Sequence, residues 1–282
     1  YLKQTLIPCQ VAITDKEVNE KTCWDDQKNV KVNFSDNEKL LSLIQNHFPD
    51  FWNYVNPQRV VRSDGSHPKK VSWVQRADIW RYCEIYMNGG IYADSDACPI
   101  DNQHVDTWVD SWLDTVTRSD SDSDKTKNEV IDVILGIEGM LPTTKCGSPQ
   151  TPMQINQWTF AASPRSPLMF HVLQQVHQQM LLGQPLIVAN TGPRIFTRAI
   201  LDFIANFAIK DKGFRSDGIP KAMSGIINHG KSKIIECEFE NQKLNVLILG
   251  KQAMADISSG DPLLDNEEGK PLVHHAFQGS WK

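Results

Sequence analysis

No run of basic residues longer than the pair Lys69-Lys70 occurs in these 282 residues, and 34 acidic against 29 basic side chains leave a net charge of −5. That balance speaks against a basic nucleic-acid-binding surface. No apolar stretch approaches the ~20 residues that span a bilayer. The longest, 130–137 and 185–189, are interrupted or short and belong in a core. A signal-like segment and an initiating Met are lacking too, so any membrane anchor is expected upstream of Tyr1. No internal repeat is visible, and the composition excludes collagenous, coiled-coil and wholly disordered chains. Cysteine is sparse: Cys9, Cys23, Cys83, Cys98, Cys146 and Cys237 lack the close paired spacing of zinc sites. Their even number allows up to three disulfides without specifying the pairs. Asn33-Phe34-Ser35 is a glycosylation acceptor triplet, weak support for a secretory lumen.

What is present is an alternation of strand and helix patterns, which predicts one α/β domain over residues 1–282. Residues 6–13 and 30–34 read as strands, and 40–48 as a helix with Asp36 or Ser35 as its N-cap. Ile79, Tyr82, Cys83, Tyr86 and Met87 fall at helical spacing, predicting an amphipathic helix with Cys83 as a buried free thiol. Gly89-Gly90 stops it, and Ile91-Tyr92-Ala93 reads as a short buried strand ending in Asp94-Ser95-Asp96. Residues 130–137, 234–239 and 246–249 are further strands; 167–182 and 194–207 are helices. Residues 58–70, the Ser-Asp-rich 118–128 and 260–270 read as polar loops.

Asp94 and Asp96 lie two apart, so an extended backbone would turn both carboxylates to one face. Two hard oxygen donors at the carboxyl end of a strand suit Mn²⁺ or Mg²⁺ and leave positions open for phosphate oxygens. Asp78 and Arg81, at i and i+3, make either a surface ion pair or a pair of contacts to ligand hydroxyls. Near the end, His274-His275 precedes Phe277 and Trp281, apolar residues that suggest docking onto the body. An imidazole there would complete a Mn²⁺ site, and Gly279, Ser280 and Lys282 would donate to a diphosphate.

Residues 76–82 and 89–96 together resemble the signature of the DXD sugar transferases of glycosyltransferase family 32. Within that family the likeness is strongest to fungal α-1,6-mannosyltransferases that begin N-glycan outer chains. Further segments fit in order: Gly136-Ile137-Glu138, Asn156-Gln157-Trp158-Thr159 with Ala162-Ser163-Pro164, Thr191-Gly192-Pro193, and His275-X-Phe277-X-Gly279-Ser280-Trp281-Lys282. The resemblance implies a GT-A type nucleotide-sugar-binding fold with a mainly parallel sheet. It implies that Asp94, Asp96 and His275 hold Mn²⁺, with His274 as the alternative ligand. It gives Asp78 and Arg81 to hydroxyls of the transferred sugar, Tyr92 to the nucleotide, and Ser280, Trp281 and Lys282 to the leaving phosphate. The strand at 7–13 would floor the nucleoside pocket, where Cys9-Gln10-Val11-Ala12 departs from the aromatic pattern of relatives.

The activity so implied is metal-dependent transfer of a hexose with retained configuration, mannose from GDP-mannose, onto a glycan acceptor in α linkage. A UDP-glucose or UDP-galactose donor is the alternative. A nucleotide-sugar or glycan-binding module without turnover is the reading from a different class. Nucleic acid is not an expected partner, and membrane attachment is expected only through an anchor outside this chain, as a type II protein of the Golgi lumen.

Overall fold

The computed structural model describes residues 8, 10–14, 23–25, 27, 30–56, 72–100, 130–140, 153–182, 191–226, 232–250 and 272–275. The segments read as loops at 58–70, 118–128 and 260–270, together with Cys9, Cys146, Gly279, Ser280, Trp281 and Lys282, lie outside them.

The strands are β1 (Gln10–Thr14), β2 (Lys31–Ser35), β3 (Gly90–Ala93), β4 (Ala97–Pro99), β5 (Val133–Met140), β6 (Met153–Ile155), β7 (Thr159–Ala162), β8 (Lys233–Phe239), β9 (Gln242–Leu249) and β10 (Val273–His275). The helices are α1 (Asn37–His47), α2 (Pro49–Val55), α3 (Trp73–Asn88), α4 (Pro167–Leu181) and α5 (Pro193–Phe207). The main sheet runs β2-β1-β3-β7-β5-β9-β8, with β6 paired to β5, and β4 forms a separate ribbon with β10.

The sheet is mixed, not mainly parallel. β1 pairs parallel with β2 and β3, and β5 pairs parallel with β9. β7 enters antiparallel between β3 and β5, and β8 runs against β9. The reason is local: β6 pairs antiparallel with β5, and the chain then bends at 156–158 into β7. That reversal delivers Gln157 and Trp158 to the end of the sheet where β3 finishes.

α1 begins at Asp36, whose carboxylate accepts from the amides of Glu38 and Lys39 at 3.0 and 2.9 Å; Ser35 is the last residue of β2. α3 opens with a capping box between Ser72 and Gln75. Its expected single apolar face is an underestimate. Ala77, Asp78, Ile79, Trp80, Arg81, Tyr82, Cys83 and Ile85 are all buried, because α3 is packed against α1, α4 and the sheet together. Two of the buried residues are charged, and both belong to the site.

The two faces of the sheet carry separate cores. Ala12, Tyr92, Val133, Leu135, Phe160 and Val246 point to the helices. Val11, Ile91, Ala93, Ile134, Ala161 and Leu247 point the other way, to Trp24, Leu272 and Val273. Strand alternation fixes this assignment residue by residue. Cys83 is buried with a free thiol, as expected, and so is Cys237.

Gly89 and Gly90 make the abrupt change from α3 to β3. They have φ of +66° and +99°, and a Cβ would lie 2.7 Å from Pro164 N at the first and 2.7 Å from Gln10 O at the second. Neither backbone neighbour can yield cheaply, so side chains are excluded twice over. Gly90→Ala is therefore expected to lower stability by about 2 kcal/mol in denaturant titration. Gly139→Ala, where a Cβ meets nothing within 4 Å, is expected to stay within about 0.5 kcal/mol of wild type.

Candidate metal and sugar-binding site

β3 ends at Ala93, and the chain turns at once. The amide of Asp94 donates to Trp158 O at 2.9 Å, and the amide of Ala97 returns to Asp94 O at 2.9 Å. The acidic triplet thus occupies a tight turn and not an extended strand; the turn itself brings the two carboxylates together. Leaving the turn, β4 pairs antiparallel with β10, setting His275 opposite Ala97. His275 Nε2 lies 3.2 Å from Asp96 Oδ1 and 3.7 Å from Asp94 Oδ2. One ligand atom from each of Asp94, Asp96 and His275 falls within 4.8 Å of the others.

The ribbon carrying Asp96 and His275 is tied down from a distant segment. Cys98 is disulfide-bonded to Cys23, 75 residues away. Beside it, the indole of Trp24 donates to Ala97 O at 2.7 Å. The ring of Trp158 packs 4.9 Å from that of His275 and closes the other side.

Beneath the turn lies a buried polar network. Arg81 Nη2 is 3.3 Å from Asp78 Oδ1, while Nη1 is 3.3 Å from Asp94 Oδ1 and donates to Gln157 O at 3.1 Å. Its guanidinium carbon stands 4.5 Å over the Tyr92 ring, whose hydroxyl donates to Asp94 Oδ1. Asp78 also accepts from Gln157 Nε2 at 3.1 Å and from Thr191 Oγ1 at 2.9 Å. Tyr82 joins through its hydroxyl, donating to Thr191 O at 2.7 Å and accepting from Gln157. Asp78 and Arg81 are 2% and 7% exposed, so they form a buried pair and not a surface one. Tyr92 is fully buried behind Asp94.

Electrostatics follow from burial. Desolvation pushes Asp78 up to about 6, against the opposing pull of Arg81 and the Thr191 and Gln157 hydrogen bonds. For Arg81, burial works against the charge, but Asp94, Tyr92 and Asp78 outweigh it and hold the guanidinium ionised. For His275, burial is likewise outweighed, by hydrogen bonds to Asp94 and Asp96, which raise it to about 9.

The sequence expectation thus brings Asp94, Asp96 and His275 together, with Asp78, Arg81 and Tyr92 directly underneath. Ser280, Trp281 and Lys282 lie outside the described residues. Gln157, Thr191, Tyr82 and the Cys23–Cys98 pair were not assigned roles from sequence. Gln157 and Thr191 do stand in the ordered motifs, which was their only signal.

Two carboxylates and an imidazole are a donor set for a borderline divalent ion such as Mn²⁺. At metal–ligand distances of ~2.1 Å, opposite ligands lie roughly 4 Å apart, so the spread of the three atoms fits one ion. Such an ion binds neutral imidazole and must displace the proton that His275 holds below pH about 9. Mn²⁺ affinity is therefore expected to fall about tenfold per pH unit between 8 and 6. Titration calorimetry in buffers of different ionisation enthalpy reads the released proton, and His275→Gln should flatten the slope. In the metal-free protein the sign reverses. The raised His275 stabilises the fold fully below its ordinary value of 6.5, and that contribution is lost as pH rises through about 9.

Residues 10–117 match the family model described as "Glycosyltransferase sugar-binding region containing DXD motif". Over 234 residues the chain is 25% identical to the initiation-specific alpha-1,6-mannosyltransferase of Schizosaccharomyces pombe, covering 74% of this chain and 47% of that protein. The chain thus spans about half the length of the curated relative it matches. Among solved structures, the PaToxG glycosyltransferase aligns at 13% identity with a TM-score of 0.41, over 70% of this chain and 69% of that one; so slight a likeness carries no argument. The matched stretch includes Asp94-Ser95-Asp96, the turn that supplies two of the three residues of the candidate metal site.

Proposed function

We propose that the protein is a metal-dependent retaining glycosyltransferase that moves mannose from GDP-mannose onto a glycan acceptor in α linkage. The observation that carries this reading is the convergence of Asp94, Asp96 and His275 inside and beside the matched sugar-binding region. The mannosyl donor rests on the resemblance of the ordered motifs and on the mannosyltransferase relative.

Asp94, Asp96 and His275 would hold Mn²⁺, which when bound neutralises charge developing on a departing diphosphate. The chain's own contribution is preorganisation. Arg81 and Tyr92 fix one oxygen of Asp94 from below, so the other faces the site. Asp78 and Arg81 are given to the sugar hydroxyls. In the free protein their polar atoms are largely taken by Gln157, Thr191 and Asp94, so a hydroxyl that reaches them replaces one of these partners. Two buried donors, Arg81 Nε and Trp158 Nε1, have no partner among the described residues, a supply of hydrogen bonds suited to a polyhydroxylated ligand. Tyr92 supports Asp94 and lies behind the nucleotide. Ser280, Trp281 and Lys282 would meet the leaving phosphate. Residence in the Golgi lumen agrees with the Cys23–Cys98 disulfide, since such bonds persist in oxidising compartments. No helix among the described residues is long and apolar enough to cross a membrane.

Thermal melting with Mn²⁺ and GDP, and separately with Mn²⁺ and UDP, tests the donor. A ligand at 100 times its dissociation constant adds ~2.7 kcal/mol, and the proposal expects this with GDP only. Stabilisation by UDP alone would move the donor to UDP-glucose or UDP-galactose. Binding without turnover of any nucleotide sugar would leave a binding module. Asp94→Asn and Asp96→Asn are each expected to lower Mn²⁺-dependent turnover about 100-fold or more while leaving the metal-free melting cooperative. Near wild-type rates in either would sink the metal assignment.

A further inference from the structure

One carboxylate stands beside the metal-ligand cluster without belonging to it. Glu138 lies at the carboxyl end of β5, the sheet end at which β3 delivers Asp94. Along β5, Val133, Leu135 and Ile137 point into the helix-side core, while Ile134 points to the opposite face with Ala93, Trp158 and Val273. Period-two alternation carries Glu138 to that second face, where Trp158 packs on His275. The β5–β6 register shifts between Ile137 and Gly139, placing Glu138 at the irregularity. Bulges of this kind recur beside active sites because they re-aim one side chain. Here the side chain is also held: Gln154 Nε2 donates to Glu138 Oε2 at 2.7 Å. Glu138 senses both His275 and Asp94 through space, yet the described metal-ligand set contains only Asp94, Asp96 and His275.

Distance and charge restrict what such a group can meet. One strand, β7, separates β3 from β5, so the two strand axes stand roughly 10 Å apart, two sheet spacings. Among the described residues the Glu138 carboxylate stands outside the Asp94, Asp96 and His275 set and beside it. A carboxylate repels a diphosphate and accepts hydrogen bonds from hydroxyls, so its partner is a sugar and not the nucleotide end of the donor. Gln154 occupies one oxygen, and among the described residues no hydrogen bond is made to the second.

We propose that Glu138 is the acceptor-binding residue of this site, its Oε1 accepting a hydrogen bond from a hydroxyl of the incoming sugar while Gln154 holds Oε2. The assignment rests on the transferase reading above. It assigns Glu138 no covalent step.

Steady-state transfer by Glu138→Gln tests it, using whichever of a panel of mannosides, glucosides and galactosides gives the highest wild-type rate. The acceptor KM is expected to rise 10- to 100-fold, with the donor KM and the Mn²⁺ dependence unchanged within twofold. Gln154→Leu, which frees Oε2 but keeps the carboxylate, is expected to raise the acceptor KM in the same direction by a smaller factor. It also serves if Glu138→Gln melts early. An unchanged acceptor KM in Glu138→Gln overturns the assignment. So does a fall in kcat with both KM values unchanged, which would put Glu138 at the reacting centre, or a rise in donor KM, which would put it on the donor. A different failure belongs to the premise. Wild-type protein that neither binds nor turns over any nucleotide sugar removes the transferase reading, and this assignment with it.

Discussion

The buried guanidinium of Arg81 is the charge on which the site depends. An ion this far from water is tolerable only if its partners are fixed and close. Asp78 supplies one from the same helix, Asp94 another from the end of β3, and Gln157 O and the Tyr92 face complete the shell. The partners arrive from α3 itself, from β3 and the turn that follows it, and from the bend before β7. The ion pair therefore does more than neutralise: it sets where α3, the β3 turn and the bend before β7 must meet. Removing Asp94 from this arrangement would strip a buried cation of a counter-charge as well as a prospective metal of a ligand. Removing Asp78 would do the first without the second, so the two aspartates are separable in principle.

Above that network the site is assembled from a ribbon that is not part of the main sheet. β4 and β10 are short, three residues each, and two short strands alone hold little stability. Their anchorage comes from outside, through the Cys23–Cys98 bond and the Trp24 indole. A cross-link closing a loop of this length is worth about 2–4 kcal/mol against the unfolded chain. The more local consequence is that Asp96, two residues before Cys98, is held near Asp94 before any ligand arrives. His275 is brought in by register with Ala97 and kept there by Trp158.

Much of this was legible in the residue order, for reasons that are local. Gly89-Gly90 marks a helix stop, and Ile91-Tyr92-Ala93 a buried strand that ends in the acidic triplet Asp94-Ser95-Asp96, although the turn that brings its carboxylates together was not legible. The apolar spacing in α4 and α5 needs no tertiary context either. What the sequence hid was set by distant partners. Nothing near Thr159–Ala162 says that this strand inserts antiparallel between β3 and β5; that follows from the β6 reversal. The apolar stripe of α3 predicted one buried face. The helix is covered on most of its circumference only because α1 and α4 pack over it as well as the sheet. Cys23 finds Cys98 across 75 residues, a pairing that no spacing rule encodes. Asp78 and Arg81 were visible as an i, i+3 pair, but their burial was not, and burial changes their meaning from a surface contact to a structural charge centre.

Burial also decides the charge state in which the free protein waits. At neutral pH His275, raised to about 9, carries its proton and lies against Asp96 and Asp94. Arg81 balances Asp94 from beneath. The two acidic residues of the turn are thus matched by two cations, and Asp78, raised to about 6, adds a weakly held negative charge behind them. A cluster so balanced does not attract a diphosphate strongly. Exchanging the His275 proton for a divalent cation held by the three residues would add one net positive charge. Under the proposed function Asp94, Asp96 and His275 would hold the ion, whose positive charge would favour a phosphate-bearing ligand at this site. The same exchange would release both turn carboxylates from a hydrogen-bonded imidazolium, so the groups that would hold the ion already stand together in the free protein.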